Sequence, residues 1–302
     1  MVIDGIINVD KPRGKTSFDV VALIRRLSRE RRVGHGGTLD PEATGVLPVF
    51  LGQATRLVEF LVESKKTYHA EIELGISTDT YDSAGSITKR GNISSVTTEA
   101  VTEAVSSFHG VVEQIPPMYS AIKHHGVPLY RLARSGIEIP RKTRRVELSR
   151  VELLEWHPPL VTLEIECSKG TYIRSLAHDL GETLGCGAHL KNLIRLSSGP
   201  FHIRDGVSIP QIEEAFKESH GTTLIQSMDT AVLHLESVAV CDKDEKAITN
   251  GQPVVLAQTE GVPGKRLRAY TSEGYFLAIL RYDEEREWWR PAKVFRKNLS
   301  EA

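Results

Sequence analysis

Apolar side chains between residues 16 and 32 recur with a helical spacing: Val20, Ile24 and Leu27 fall at i, i+4 and i+7, one stripe of an amphipathic helix. Thr16 with Asp19 three residues on is a capping-box pair at its start. Arg25, Arg26, Arg29, Arg31 and Arg32 gather at its end, where cations complement the helix dipole. Residues 5–9, GIINV, read as a short buried strand ended by Asp10, Lys11 and Pro12. A helix is expected over 54–62, an alternating strand over 68–74 (YHAEIEL) and a helix over 97–108. Residues 116–145 look irregular, 146–154 and 160–167 read as paired strands, and 173–184 as a helix stopped by Gly185 and Gly187. Strands and helices do not alternate as regular βαβ units, which predicts an α+β protein rather than a doubly wound sheet. After about residue 230 short apolar runs are separated by Asn250-Gly251, Pro263-Gly264 and Glu273-Gly274, the pattern of a small all-β module. The expected division is 1–232 and 233–302.

The chain has 302 residues and a net charge of −1, enough for one large domain and a small one, with no excess charge to announce a polyanionic partner. The distribution changes that picture. Residues 121–150 carry Lys123, Arg131, Arg134, Arg141, Lys142, Arg144, Arg145 and Arg150 against Glu138 and Glu147, a local balance of +6. Such a segment suits a nucleic-acid backbone as well as it suits a solvated charged face. Cys167, Cys186 and Cys241 are scattered and form no CxxC, so neither a disulfide framework nor a zinc site is indicated. The N-terminal residues lack a long apolar run after a basic start, and no stretch approaches the ~20 apolar residues that span a bilayer. A reduced, soluble, cytoplasmic enzyme is expected.

The candidate chemistry lies in residues 33–45, VGHGGTLDPEATG. Proline after Asp40 and the glycines before it fit no long helix or regular strand; the run is a constrained loop presenting one acid. An isolated Asp-Pro would be an ordinary turn. The whole string closely resembles the GHTGxLDPxATG signature of the TruB family of tRNA pseudouridine synthases. Further resemblance lies in Asp10-Lys11-Pro12, in Lys66-Thr67-Tyr68-His69-Ala70, in Leu74-Gly75 followed by Thr78-Asp79-Thr80, in QIPPMYSA over 114–121, in SKGTYIR over 168–174 and in LGCGAH over 184–189. The matches stand in the family's order over most of residues 5–200.

The resemblance implies a pseudouridine synthase-like catalytic domain with a mixed, largely antiparallel central sheet and flanking helices, followed by a PUA-like RNA-binding domain. It implies Asp40 as the nucleophile, Arg174 as its partner and Tyr68 as the tyrosine that stacks on the target base and takes part in proton transfer. His35 resembles the residue that fills the space left by the flipped base, and Tyr172 lines the same pocket or packs beside it. Lys11 contacts phosphate or buttresses the site, and Lys169 is a further substrate-binding candidate. Lys123, Arg131, Arg134, Arg141 and Arg144 match the family's RNA-clamping insertion, about 116–145. Here Gly36 stands where the family has threonine.

The reaction is an isomerisation with no redox or phosphoryl step, so neither a cofactor nor a metal ion is expected, and no P-loop or Rossmann glycine pattern occurs. The implied substrate is the T-arm stem-loop of tRNA, at position 55, read by a monomer without a guide RNA or a membrane. Whether Asp40 attacks the sugar, attacks the base or first supports elimination to a glycal is open in the sequence. A second reading is a non-catalytic tRNA-folding chaperone with the same surface. A third, a phosphate-binding metabolic enzyme built on GHGG, lacks the strand–GxGxxG–helix context.

Overall fold

The computed structural model describes residues 3–257 and 259–296. Chain order opens with β1 (Gly5–Lys11), α1 (Ser17–Ser28), β2 (Val33–His35), β3 (Thr44–Leu51), α2 (Val58–Glu63) and β4 (Lys66–Leu74). A peripheral pair β5 (Ile76–Thr78) and β6 (Ile87–Arg90) follows, then α3 (Thr98–Ser106) and β7 (Gly110–Gln114). The hairpin β8 (Lys123–His124) and β9 (Val127–Pro128) precedes α4 (Leu129–Arg134). Next come β10 (Arg144–His157), β11 (Leu160–Cys167), α5 (Ile173–Thr183), β12 (Ala188–Ser198), β13 (Phe201–His202), β14 (Val207–Ser208) and α6 (Ile209–Lys217). The C-terminal part holds β15 (Glu236–Ala239), α7 (Asp242–Thr249), β16 (Arg266–Tyr270), β17 (Phe276–Asp283) and β18 (Trp288–Val294).

Among the described residues a ten-stranded sheet runs in the order β14-β1-β3-β12-β4-β11-β10-β7, with β2 beside β3 and β13 beside β12. Within it only β1 with β14 and β3 with β12 pair parallel, so this sheet is mixed and largely antiparallel, as expected. The central strand β3, TGVLPVFL, is apolar almost throughout and buried from Gly45 to Leu51, the composition of a strand covered on both faces. In β11, Val161, Leu163, Ile165 and Cys167 alternate inward. They meet Leu176, Ala177 and Leu180 of α5 and Val101, Ala104 and Val105 of α3. Full burial of each Leu, Ile or Val contributes roughly 1.5–3 kcal/mol. α1 buries Val20, Val21 and Ile24 against Ile7, Val9, Leu47 and Val49, and Thr16 caps it with Asp19 in the expected reciprocal box.

Three regions depart from the sequence expectation. Residues 54–62 begin as a 3-10 turn (Gly52–Leu57) before α2. The segment expected to be irregular, 116–145, contains the β8–β9 hairpin and α4. The C-terminal β module carries a helix, α7, whose sequence DKDEKAIT buries Ile248 alone and so shows no apolar stripe. The four-stranded sheet β15-β16-β17-β18 shares a hydrophobic cluster with the main body: Phe276, Ile279 and Phe295 pack with Ile6, Phe50, Phe60 and Phe201. Arg268 and Asp229 are joined through Tyr270, whose hydroxyl donates to Asp229 at 2.5 Å. Among the described residues no helix is long and apolar enough to cross a membrane.

Candidate active site

Asp40 sits in the loop between β2 and β3. Ser17, the first residue of α1, ties that loop down: its hydroxyl donates to the Leu39 carbonyl at 3.0 Å and accepts the Leu39 N–H at 2.9 Å. The Gly14 N–H donates to the Pro41 carbonyl at 2.8 Å. Lys11 is fully buried, and its ammonium donates to the carbonyls of Pro12, Lys15 and Pro41 at 2.9, 2.7 and 3.2 Å. These three carbonyls take all three ammonium hydrogens, leaving none for a phosphate. Burial lowers its pKa to about 8, opposed by Asp40 and Glu42.

Gly45 is required where the loop enters β3. At φ 96° its position is left-handed, and a Cβ there would lie 2.4 Å from the Arg195 carbonyl oxygen. Gly36 has a different reason. A Cβ would lie 2.5 Å from Leu61 Cδ2 and 2.9 Å from Phe50 Cε2, both in the buried cluster beneath. In this chain the core fills the room that a threonine side chain would need. Gly36→Thr is expected to lower stability by about 1–3 kcal/mol, the usual cost of overpacking. Leu61→Ala should recover part of that loss in thermal unfolding; strictly additive single and double substitutions would rule the clash out.

Two distant motifs assemble the wall opposite the loop. Gln114, at the end of β7, donates from its amide to the Tyr172 carbonyl at 2.9 Å and accepts the Tyr172 N–H at 2.8 Å. Ser175 donates to the Ile115 carbonyl at 2.8 Å. These bonds fix the start of α5, whose second residue is Arg174, buried to 6 % exposure. Its Nε lies 3.0 Å from Asp40 Oδ2 and its Nη2 3.3 Å from Oδ1. Nη1 reaches Asp82 Oδ2 and the Thr80 carbonyl, each at 3.3 Å, and Nη2 donates to the Tyr119 carbonyl at 3.0 Å. One planar guanidinium thus joins two carboxylates and two carbonyls, geometry an ammonium cannot supply. Although the Asp40 side chain is 41 % exposed on the cleft side, the protein packed around it raises its pKa; Arg174 opposes this, Asp82 adds to it and Lys11 opposes it.

Asp40, Tyr68, Tyr172, Arg174, His35 and Lys169 line one cleft of about 740 Å³, room for a nucleotide. Burial pushes the Tyr68 phenol up, and Arg195 pulls it back. His35 is lowered by burial and by Arg195, which keeps the imidazole neutral near pH 7. Lys169 stands at the rim in an ion pair with Glu63 at 2.6 Å. From the basic segment Arg134 reaches the cleft with its guanidinium over the Tyr130 ring. Lys123, Arg131 and Arg144 are exposed. Arg141 does not stand free: it donates to the Pro116 carbonyl at 3.2 Å and pairs with Glu138 at 3.2 Å, fastening the segment's base.

Sequence reading missed two cleft residues. Asp82 follows the Thr78-Asp79-Thr80 match and is only 13 % exposed as Arg174's second acid. Arg195, on β12 opposite Tyr68, is 1 % exposed. It donates to the Val46 carbonyl at 2.6 Å and the Gly37 carbonyl at 3.1 Å, and no carboxylate lies within 4 Å among the described residues. A lone charge inside the otherwise apolar Leu193 to Leu196 run was its signal. Because Arg195 lies against the phenol, Tyr68→Phe is expected to keep RNA affinity and to lose turnover by ~10²–10⁴-fold, the range of acid–base catalysis. Retained turnover in a tritium-release assay would leave Tyr68 a stacking role alone.

Residues 25–173 match the model of the TruB family pseudouridylate synthase N-terminal domain. Residues 174–238 match that of the tRNA pseudouridylate synthase B C-terminal domain. The chain belongs to the TruB family of pseudouridine synthases. It is 46 % identical over 293 residues to the tRNA pseudouridine synthase B of Dehalococcoides mccartyi strain 195, covering 97 % of both chains. It is 45 % identical over 285 residues to that of Clostridium acetobutylicum, covering 94 % of this chain and 97 % of the relative. Among solved structures it resembles a chain of an H/ACA ribonucleoprotein bound to a substrate RNA containing 2′-deoxyuridine, with TM-score 0.75 and 27 % identity over 97 % of this chain and 85 % of that one. A chain of a Cbf5-Nop10-Gar1 complex gives TM-score 0.73 and 30 % identity over 97 % and 84 %.

Proposed function

We propose that this tRNA pseudouridine synthase isomerises the T-loop uridine, position 55 in tRNA numbering, with Asp40 as nucleophile and no guide RNA. In the reaction the C1′–N1 bond of uridine breaks, the uracil turns, a C5–C1′ bond forms, the C5 hydrogen leaves to solvent and N1 takes a proton. A carboxylate splits that rearrangement into easier steps by serving as a covalent partner. A single observation carries the choice of Asp40. Asp40, Glu42 and Asp82 all line the cleft. Asp82 is nearly enclosed and accepts from Thr80 Oγ1 at 2.5 Å, the Ala84 N–H at 3.1 Å and Arg174. Glu42 faces Arg13 at 3.7 Å on the rim. Asp40 alone combines a cleft-facing carboxylate with bidentate aim from Arg174 beside the Tyr68 ring.

The target base must leave its stack to reach Asp40. Tyr68 stacks on it, and the neutral His35 ring takes its place in the RNA. Tyr172 closes the pocket, and Lys169 holds the rim. Lys123, Arg131, Arg134 and Arg144 clamp the stem-loop, so binding depends on salt: raising it from about 50 to 200 mM should weaken affinity on the order of 10²-fold for four phosphate contacts. Residues 1–232 form the catalytic unit and 233–302 a C-terminal RNA-binding unit of a monomer working in the cytoplasm. A tRNA transcript whose T-loop uridine is replaced by cytidine tests the assignment. It should bind but release no tritium from the remaining C5-labelled uridines; undiminished release would place the target elsewhere.

A further inference from the structure

Phe18 is the second residue of α1 and is 66 % exposed. It lines the Asp40 cleft beside Thr16 and Ser17. Its ring is a large apolar surface left in water, and it stands away from the buried stripe of Ser17, Val20, Val21, Ile24 and Ser28. At 100° per residue Phe18 shares the opposite, solvent face with Ala22, Arg26 and Arg29, all exposed. Ala22 leaves that face low between the ring and the two guanidiniums. Neither Arg26 nor Arg29 has a carboxylate within 4 Å among the described residues. Of the nearby acids, Asp19 is turned back onto the Thr16 N–H and hydroxyl at 2.8 and 2.6 Å, and Glu30 is buried and accepts the Arg32 N–H. Arg29 ends the helix at φ 56°, a backbone region uncommon for a long side chain. From Phe18 to Arg29 the face extends about 16 Å at 1.5 Å per residue.

An exposed ring at the mouth of a base-flipping cleft, followed along one helix by unpaired cations, has the make-up of a single-strand contact. We infer that the solvent face of α1 is a second RNA-contact site: Phe18 stacks on a nucleobase bordering the flipped uridine, and Arg26 and Arg29 hold phosphates of the strand leaving the cleft. Ser17 fixes this platform to the Asp40 loop, since its hydroxyl bonds both backbone groups of Leu39. The site deepens the tRNA assignment and rests on tRNA as substrate, not on which uridine is modified.

Steady-state kinetics on a full-length tRNA transcript test it, with Phe18→Ala, Phe18→Leu, Phe18→Trp and the pair Arg26→Gln with Arg29→Gln. Phe18→Ala should raise KM about 5- to 160-fold, the span of one base–aromatic stack, with kcat within about twofold of wild type. Phe18→Trp should restore KM and Phe18→Leu should not. The arginine pair should reduce the salt slope of log Kd by about one for each lost phosphate. Unchanged KM in Phe18→Ala overturns the platform, as does full rescue by Phe18→Leu, which would make the site a plain apolar contact. A fall in kcat at constant KM overturns it too, because that marks a role in fixing the Asp40 loop. Sequencing the pseudouridine in the same wild-type reactions shows separately whether the T-loop assignment fails.

Discussion

Asp40→Asn is expected to abolish isomerisation while leaving the fold and RNA binding intact. The change replaces one carboxylate oxygen by an amide of the same size, so the loop pinned by Ser17 and Lys11 keeps its shape. Arg174 loses one anionic partner but retains Asp82 and the carbonyls of Thr80 and Tyr119, so the start of α5 stays anchored. What disappears is the carboxylate proposed to form the covalent bond. Loss of a covalent nucleophile costs kcat at least about 10³-fold, and Kd for tRNA should stay within about threefold. Single-turnover assays read the first quantity and filter binding the second. Comparable turnover in the two proteins would move the nucleophile to another residue.

Arg174→Lys should nearly match that loss by a different route. The charge is kept, so Asp40 and Asp82 do not face each other unopposed. The geometry is not: a lysine brings one ammonium where the guanidinium reaches two oxygens of Asp40, one of Asp82 and two carbonyls. We expect kcat to fall about 10²–10³-fold, in line with losing the aim of a reacting group, with a modest drop in thermal stability. Arg174→Ala should be worse for folding, by about 3–5 kcal/mol, because it leaves the enclosed Asp82 carboxylate without its guanidinium. Full turnover by Arg174→Lys would remove the aiming role, and equal stability of the Lys and Ala variants would contradict the ionic account of the fold.

The parts of the site carried by contiguous strings were legible in the sequence, and the parts created by folding were not. Asp40, Tyr68 and Arg174 stand in three separated motifs, and the structure brings them to one cleft. The QIPPMYSA string was legible as a match, but its work was not: Gln114 and Ile115 exist to hold Tyr172 and Ser175 in place. Asp82 and Arg195 gain meaning only from what they face, a guanidinium and a phenol that lie 92 and 127 residues away in the chain. Arg141 reads as a cation available to RNA, and Lys11 is left open between phosphate contact and buttress, because spacing cannot show that a side chain turns inward to backbone carbonyls. Among the elements, strands with clear alternation, such as β4 and β11, were found close to their true ends. β3 carries no alternation because both faces are covered, and α7 carries no apolar stripe because it buries one side chain.

The most direct test of the central claim is to react wild-type enzyme with full-length tRNA carrying C5-tritiated uridine, count the tritium released and sequence the product for pseudouridine. One equivalent of tritium per tRNA, with a single pseudouridine in the T-loop, is the expected result. A stoichiometric release that maps to a uridine outside the T-loop, or tight binding with no release at all, would contradict it.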